Sequence, residues 1–156
     1  MRAKSKVGVF RKMNTELMFS SEKEDWETPQ DFFDNLNSEF GFTLDAAASL
    51  TNHKCDKYYS IENNGLEQEW DQSTYCNPPY GRGVFSWVQK AYFESLKGKT
   101  IVMLLPARTD TRWFHEFILG KAEIRFIKGR LKFGGSKNSA PFPSMVVVYR
   151  GDKNDC

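Results

Sequence analysis

Residues 1–20 carry no helical or strand period and read as a mobile basic arm; regular patterning begins after Trp26. Thr28 and Pro29 look like an N-cap followed by proline at the first helical position, with Asp31 in the first turn. Phe32, Phe33, Leu36 and Phe40 then fall on one helical face, and Gly41 stops the helix. A short strand is predicted over 42–44, ending at Asp45, then a small polar loop over 46–52. A second short strand over 57–61 leads to a turn at Asn63, Asn64 and Gly65. Residues 73–76 read as a strand that runs directly into Asn77, Pro78, Pro79 and Tyr80. A helix follows over 84–96 with Phe85, Val88, Tyr92 and Leu96 on one face.

The run 100–105 is apolar at nearly every position, as in a strand buried on both faces, and ends at Pro106. Asp110 is the expected cap of a helix reaching Leu119, and 122–127 is the next strand. Residues 129–133 and 145–149 complete the set as an antiparallel hairpin across a loop at 134–143 that is too short for a helix. Strands alternating with helices imply an α/β sandwich with a largely parallel sheet. With 156 residues the chain has room for one core, so residues 21–150 are expected to form a single compact domain, with a tail at 151–156.

Composition sharpens this picture. Forty per cent of residues are apolar and 27% charged, outside the range of disordered chains, and no apolar run approaches a membrane span. The basic start lacks the apolar stretch of a signal peptide, and three scattered cysteines argue against a disulfide framework. A soluble cytoplasmic protein is the expectation. The net charge of +2 conceals a split: residues 21–80 hold 3 Lys/Arg against 13 Asp/Glu, and residues 81–137 hold 12 against 4. Such an asymmetry can steer a polyanion onto one face, or disperse into an ordinary mixed surface.

Asn77-Pro78-Pro79-Tyr80 is the most informative stretch. Two prolines remove two backbone donors but keep their carbonyl acceptors, the Asn77 amide adds a third acceptor, and Tyr80 adds a flat ring. At the carboxyl edge of an α/β sheet, where ligands bind, this set suits a planar substrate with an exposed amino group. Adenine is such a substrate. Acceptors holding both amino hydrogens favour the tetrahedral geometry of a nitrogen attacking a methyl group, an effect realised mainly in the transition state. The base would have to swing out of its duplex to stack on Tyr80. The bland alternative is a Pro-Pro strand terminator with Tyr80 packed in the core.

Here the chain resembles the amino-methyltransferases, whose motif is Asn/Asp/Ser-Pro-Pro-Tyr/Phe. Further stretches narrow the resemblance: Asp25 to Pro29, Leu44 to Ser49, Asn64 to Leu66 with Trp70, Leu105 to Thr111 with Trp113 and Phe114, and Phe126 to Phe133. In that order, over about residues 24–150, they are similar to the compact phage-type DNA N6-adenine methyltransferases (Dam). The resemblance implies a Rossmann-like class I fold, a three-layer sandwich with a mostly parallel sheet and a C-terminal antiparallel hairpin, without a separate target-recognition domain. It also implies S-adenosyl-L-methionine as cofactor, double-stranded DNA as partner, and an origin in a phage or prophage acting in a bacterial cytoplasm. By position, Trp26, Thr28 and Pro29 would flank the methionine end of the cofactor, with Asp45 pairing its ammonium beside Ala46. Asn64 and Leu66 would hold its adenine ring. Asn77, Pro78, Pro79 and Tyr80 would take the target adenine, with Asn77 also beside the cofactor.

One departure is that Ala46-Ala47-Ala48-Ser49 stands where most class I methyltransferases have a glycine-rich turn, so the cofactor loop is expected to differ in shape. Arg108, Arg112, Lys128, Arg130, Lys132 and Lys137 are candidates for neutralising DNA phosphates, or for a plain solvated face. His53, Cys55 and His115 lack zinc-site spacing, and no metal is expected. Cys76 more naturally packs than reacts. Two other readings stay open: the same chemistry on RNA or on a protein glutamine, and a non-catalytic DNA-binding relic of the fold.

Overall fold

The computed structural model describes residues 26–134 and 138–151, so the arm expected at 1–20, Lys137 and the tail beyond Gly151 lie outside the described residues. Helix α1 spans Gln30–Phe40. Its N-cap is Pro29 rather than Thr28, because the Thr28 hydroxyl is engaged elsewhere, 2.6 Å from the buried Tyr75 hydroxyl. Gly41 ends the helix at φ 62°, its N–H donating to the Asn37 carbonyl, as its position predicts.

Among the described residues five strands form one sheet: β1 (Leu44–Asp45), β2 (Ser73–Cys76), β3 (Thr100–Pro106), β4 (Glu123–Phe126) and β5 (Ser144–Tyr149). Their order is β1-β2-β3-β5-β4, with β1, β2 and β3 parallel and β5 antiparallel to both of its neighbours. Four strands therefore run one way and β5 alone runs against them. The C-terminal antiparallel pairing is real, but the partners differ from those predicted. β5 lies between β3 and β4, so both of its edges are occupied, and residues 129–133 form no strand. That segment is tied by single bonds instead, Ala140 N–H to the Leu131 carbonyl and Gly134 N–H to the Glu27 carbonyl, each at 2.8 Å.

Two other elements are shorter than predicted. The expected strand at 57–61 reduces to a bridge between Tyr58 and Asp45, and the strand predicted from residue 42 begins at Leu44. Helix α2 covers Val84–Ser95, and helix α3 covers Arg112–Phe117. Thr111, not Asp110, caps α3, its hydroxyl accepting the Phe114 N–H at 3.3 Å. Threonine fits because its side chain reaches a donor three residues on.

Helices cover both faces of the sheet. Tyr149, in register with Ile101, meets Tyr92 of α2 and donates its hydroxyl to the Phe117 carbonyl of α3 at 2.6 Å. Tyr75 alternates to the opposite face, where Phe33 of α1 meets it edge-on at 5.1 Å. This explains why β3 and β5 are buried almost throughout. Among the described residues no helix is long and apolar enough to cross a membrane. The arrangement brings the carboxyl ends of β1, β2, β3 and β4 and the start of β5 to a single edge of the sheet.

Candidate active site

At that edge β2 ends at Cys76 and delivers Asn77, and β1 ends beside it at Asp45, in register with Tyr75. The segment before α1 crosses the same edge and fixes Asn77. The Asn77 Nδ2 donates to the Trp26 carbonyl, and to the Thr28 Oγ1 at 3.1 Å. A backbone carbonyl can only accept, so this bond fixes which end of the amide faces Trp26. The Asn77 Oδ1 is left buried, without a hydrogen-bond partner among the described residues. A buried acceptor left unsatisfied is costly and uncommon, and it marks a place where a donor belongs.

Pro78 is buried and Pro79 exposed. The loop then turns at Gly81, whose φ of 120° is a conformation that favours glycine. Tyr80 is only 6% exposed: its hydroxyl donates to the Leu104 carbonyl at 3.1 Å, and its ring meets Phe142 edge-on at 5.6 Å. Phe133 and Phe142 in turn contact Trp26, at 5.5 and 5.4 Å between ring centres. Trp26, Tyr80, Phe133 and Phe142 thus form one aromatic cluster beside the Asn77 amide. The ring face expected of Tyr80 is covered in this conformation, and Trp26 is the cluster's partly exposed member.

Asp45 is 4% exposed, and its Oδ2 accepts the Lys54 N–H at 2.8 Å. Burial lifts its pKa to about 6, against the pull of the Lys54 and Ala47 N–H groups and of the charges on His53 and Lys54. Asp45, Thr28, Ala47, Asn52, Lys54, Tyr75 and Asn77 line a small cleft. Ala46 is buried beside it, and Pro29 opens α1 on its flank. Asn64 adopts a left-handed conformation at φ 56°, and its Oδ1 accepts the Leu66 N–H, capping a 3₁₀ turn at Gly65–Glu67. One face of the Asn64 amide is thereby committed to the turn, while Leu66 stays partly exposed.

Among the basic candidates, Arg130 and Lys132 line a groove of about 360 Å³ with Pro29, Asp31, Phe32 and Asn35. Both are exposed and flank the aromatic cluster through Phe133. Arg108 and Lys128 are exposed just past the ends of β3 and β4. Arg112 also lies beyond β3, but it is paired to Glu116 at 2.6 Å and packed 4.8 Å over the Phe85 ring. Lys137 lies outside the described residues. Sequence reasoning missed Lys54, Phe142 and exposed Arg82, which follows directly after Tyr80 and Gly81. The first two reach the site through loops without periodicity, and pattern analysis carries no signal there.

A family model for DNA N-6-adenine-methyltransferase (Dam) matches residues 15–155. The DNA N-6-adenine-methyltransferase of Escherichia phage T1 is 39% identical over 109 residues, covering 68% of this chain and 45% of the relative. The chain therefore spans less than half the length of that relative. The DNA N-6-adenine-methyltransferase of Haemophilus phage HP1 (strain HP1c1) is 33% identical over 152 residues, 90% of this chain and 85% of the relative. The family model's match covers both the segment that holds Asn77 and the strands that frame it, and the chain belongs to the DNA N-6-adenine-methyltransferase (Dam) family.

Proposed function

We propose that this protein transfers a methyl group from S-adenosylmethionine to the N6 amino group of adenine in double-stranded DNA, using a class I methyltransferase core of three layers. The observation that carries this reading is the buried, unsatisfied Asn77 Oδ1, held in place by bonds on the other side of its amide. That oxygen accepts one amino hydrogen of the base, and the Pro78 carbonyl is the second acceptor in the motif. Together they draw electron density onto a nitrogen whose lone pair is otherwise delocalised into the ring.

The chain's donor set fits the cofactor. Asp45 is a buried carboxylate in a cleft, suited to an ammonium, and Thr28, Pro29 and Ala46 stand around it. Trp26, Asn64 and Leu66 border the same sheet edge. When bound, S-adenosylmethionine would supply an electrophilic methyl on sulfur. The cluster of Trp26, Tyr80, Phe133 and Phe142 keeps the amino nitrogen in a dry surround, with Tyr80 exposing its ring as the base enters from the flipped position. Arg108, Lys128, Arg130 and Lys132 hold phosphates on either side, and Arg112 and Lys137 are further candidates for that role.

The names of the phage relatives, the basic rim of the site and the family membership favour DNA over RNA or a protein glutamine. Labelled methyl transfer offered in parallel to unmethylated duplex DNA, RNA and protein separates these acceptors. Label recovered as N6-methyladenine in DNA is the expected result. Label in RNA or glutamine alone would transfer the reading to those substrates, and no label from folded protein would favour a binding relic.

A further inference from the structure

We infer that Lys54 binds the carboxylate of the cofactor's amino-acid end, so that Asp45 and Lys54 form a paired clamp for a zwitterion. This rests on the cofactor assignment above and adds a residue that the motifs do not supply. The cleft is lined by Thr28, Asp45, Ala47, Asn52, Lys54, Tyr75 and Asn77, so one acidic and one basic residue border it together. An α-amino acid end carries the complementary pair, an ammonium and a carboxylate on one carbon.

Lys54 borders the cleft beside Asp45. Its backbone N–H rests on the Asp45 carboxylate, and its ammonium reaches the Gln30 Oε1 at 2.9 Å. The side chain is only 8% exposed, yet its carboxylate partner, Glu27, is 3.8 Å away and 46% exposed. The ammonium is thus held by one neutral amide oxygen and one long, half-exposed ion pair, and its charge also acts on the nearby Asp45 carboxylate. A ligand carboxylate arriving at the cleft would give Lys54 a close, fully charged partner, as Asp45 would the ligand's ammonium.

The test is titration calorimetry without DNA, comparing S-adenosylmethionine with decarboxylated S-adenosylmethionine, which lacks only the carboxylate. Wild-type protein is expected to favour the carboxylated ligand by roughly 10- to 100-fold. Lys54→Met, which keeps the apolar stem, should lose most of that preference while binding the decarboxylated ligand about as well as wild type. Asp45→Asn should weaken both ligands. Equal binding of both ligands by wild type, or an equal loss for both in Lys54→Met, would overturn the clamp. Should Lys54→Met fail to fold, the wild-type comparison and Lys54→Gln still decide. Folded wild-type protein that binds neither ligand would refute the cofactor assignment itself, an outcome distinct from losing the preference alone.

Discussion

Burial holds the Asp45 carboxyl at about 6, against an ordinary value of 3.8, despite the two N–H groups aimed at it. The folded state therefore keeps a proton that the unfolded chain releases, and stability falls as pH rises from about 4 to about 6. The gap corresponds to roughly 3 kcal/mol lost above pH 6. Asp45→Asn should recover about 1–3 kcal/mol in urea melts at pH 7.5, and little at pH 4, while weakening cofactor binding. Affinity of the wild type for the cofactor should in turn decline below pH 6, as the carboxylate that pairs the ammonium is protonated. Tyr80 calls for a different pair of variants. Its ring is part of the core, so Tyr80→Ala should cost about 3–5 kcal/mol and confuse folding with catalysis. Tyr80→Phe removes only the bond to the Leu104 carbonyl and should lose about 1 kcal/mol in thermal melts while retaining transfer. At this scale the place of Asn77 at a strand end was legible, because two prolines following it cannot continue a strand. The burial of Tyr80 was not, since Phe133 and Phe142, which cover it, come from loops more than fifty residues downstream.

The elements that the sequence displays best are those whose partners are local. Phe33 and Leu36 mark the buried face of α1, and Gly41 its end, because a helix bonds to itself. The run at 100–105 advertises a central strand through its unbroken apolarity. Strand pairing is a contest between distant segments, and there the reading failed. Residues 122–127 and 129–133 both offered a partner for β5, and nothing local shows that β4 takes one edge while β3 holds the other. The alanine-rich turn after β1 has a physical explanation in the 3₁₀ turn opposite. Gly65 packs so closely that a Cβ there would sit 2.2 Å from the Ala46 carbonyl oxygen. Close approach is achieved by a glycine on the facing loop rather than in the turn itself. Gly65→Ala should destabilise the protein by about 1–3 kcal/mol and weaken cofactor binding, measured by urea melts and calorimetry on the same samples.

For the molecule as a whole, part of the charge split disperses into pairs between the halves, Arg125 with Glu39 and Lys99 with Glu69, while Arg108 and Lys128 stay exposed just past the ends of β3 and β4. Charge counts along the chain show the split, but which charges pair and which stay exposed depends on strand order, which only the fold supplies. Arg130 and Lys132 flank a groove on the edge of the site and should act on phosphates without reading sequence. Replacing both by alanine should weaken duplex binding about equally for all sequences and reduce the slope of log affinity against log salt by about 2. Cofactor affinity should be unchanged. The central claim is that the unsatisfied Asn77 oxygen is the acceptor on which transfer depends. Its most direct test is the rate of N6-methyladenine formation in unmethylated duplex DNA by wild type and Asn77→Ala, with cofactor affinity and melting followed in parallel. Wild-type transfer reduced at least about 100-fold in a variant that still folds and binds cofactor is the expected result. Transfer by folded Asn77→Ala at the wild-type rate would contradict it.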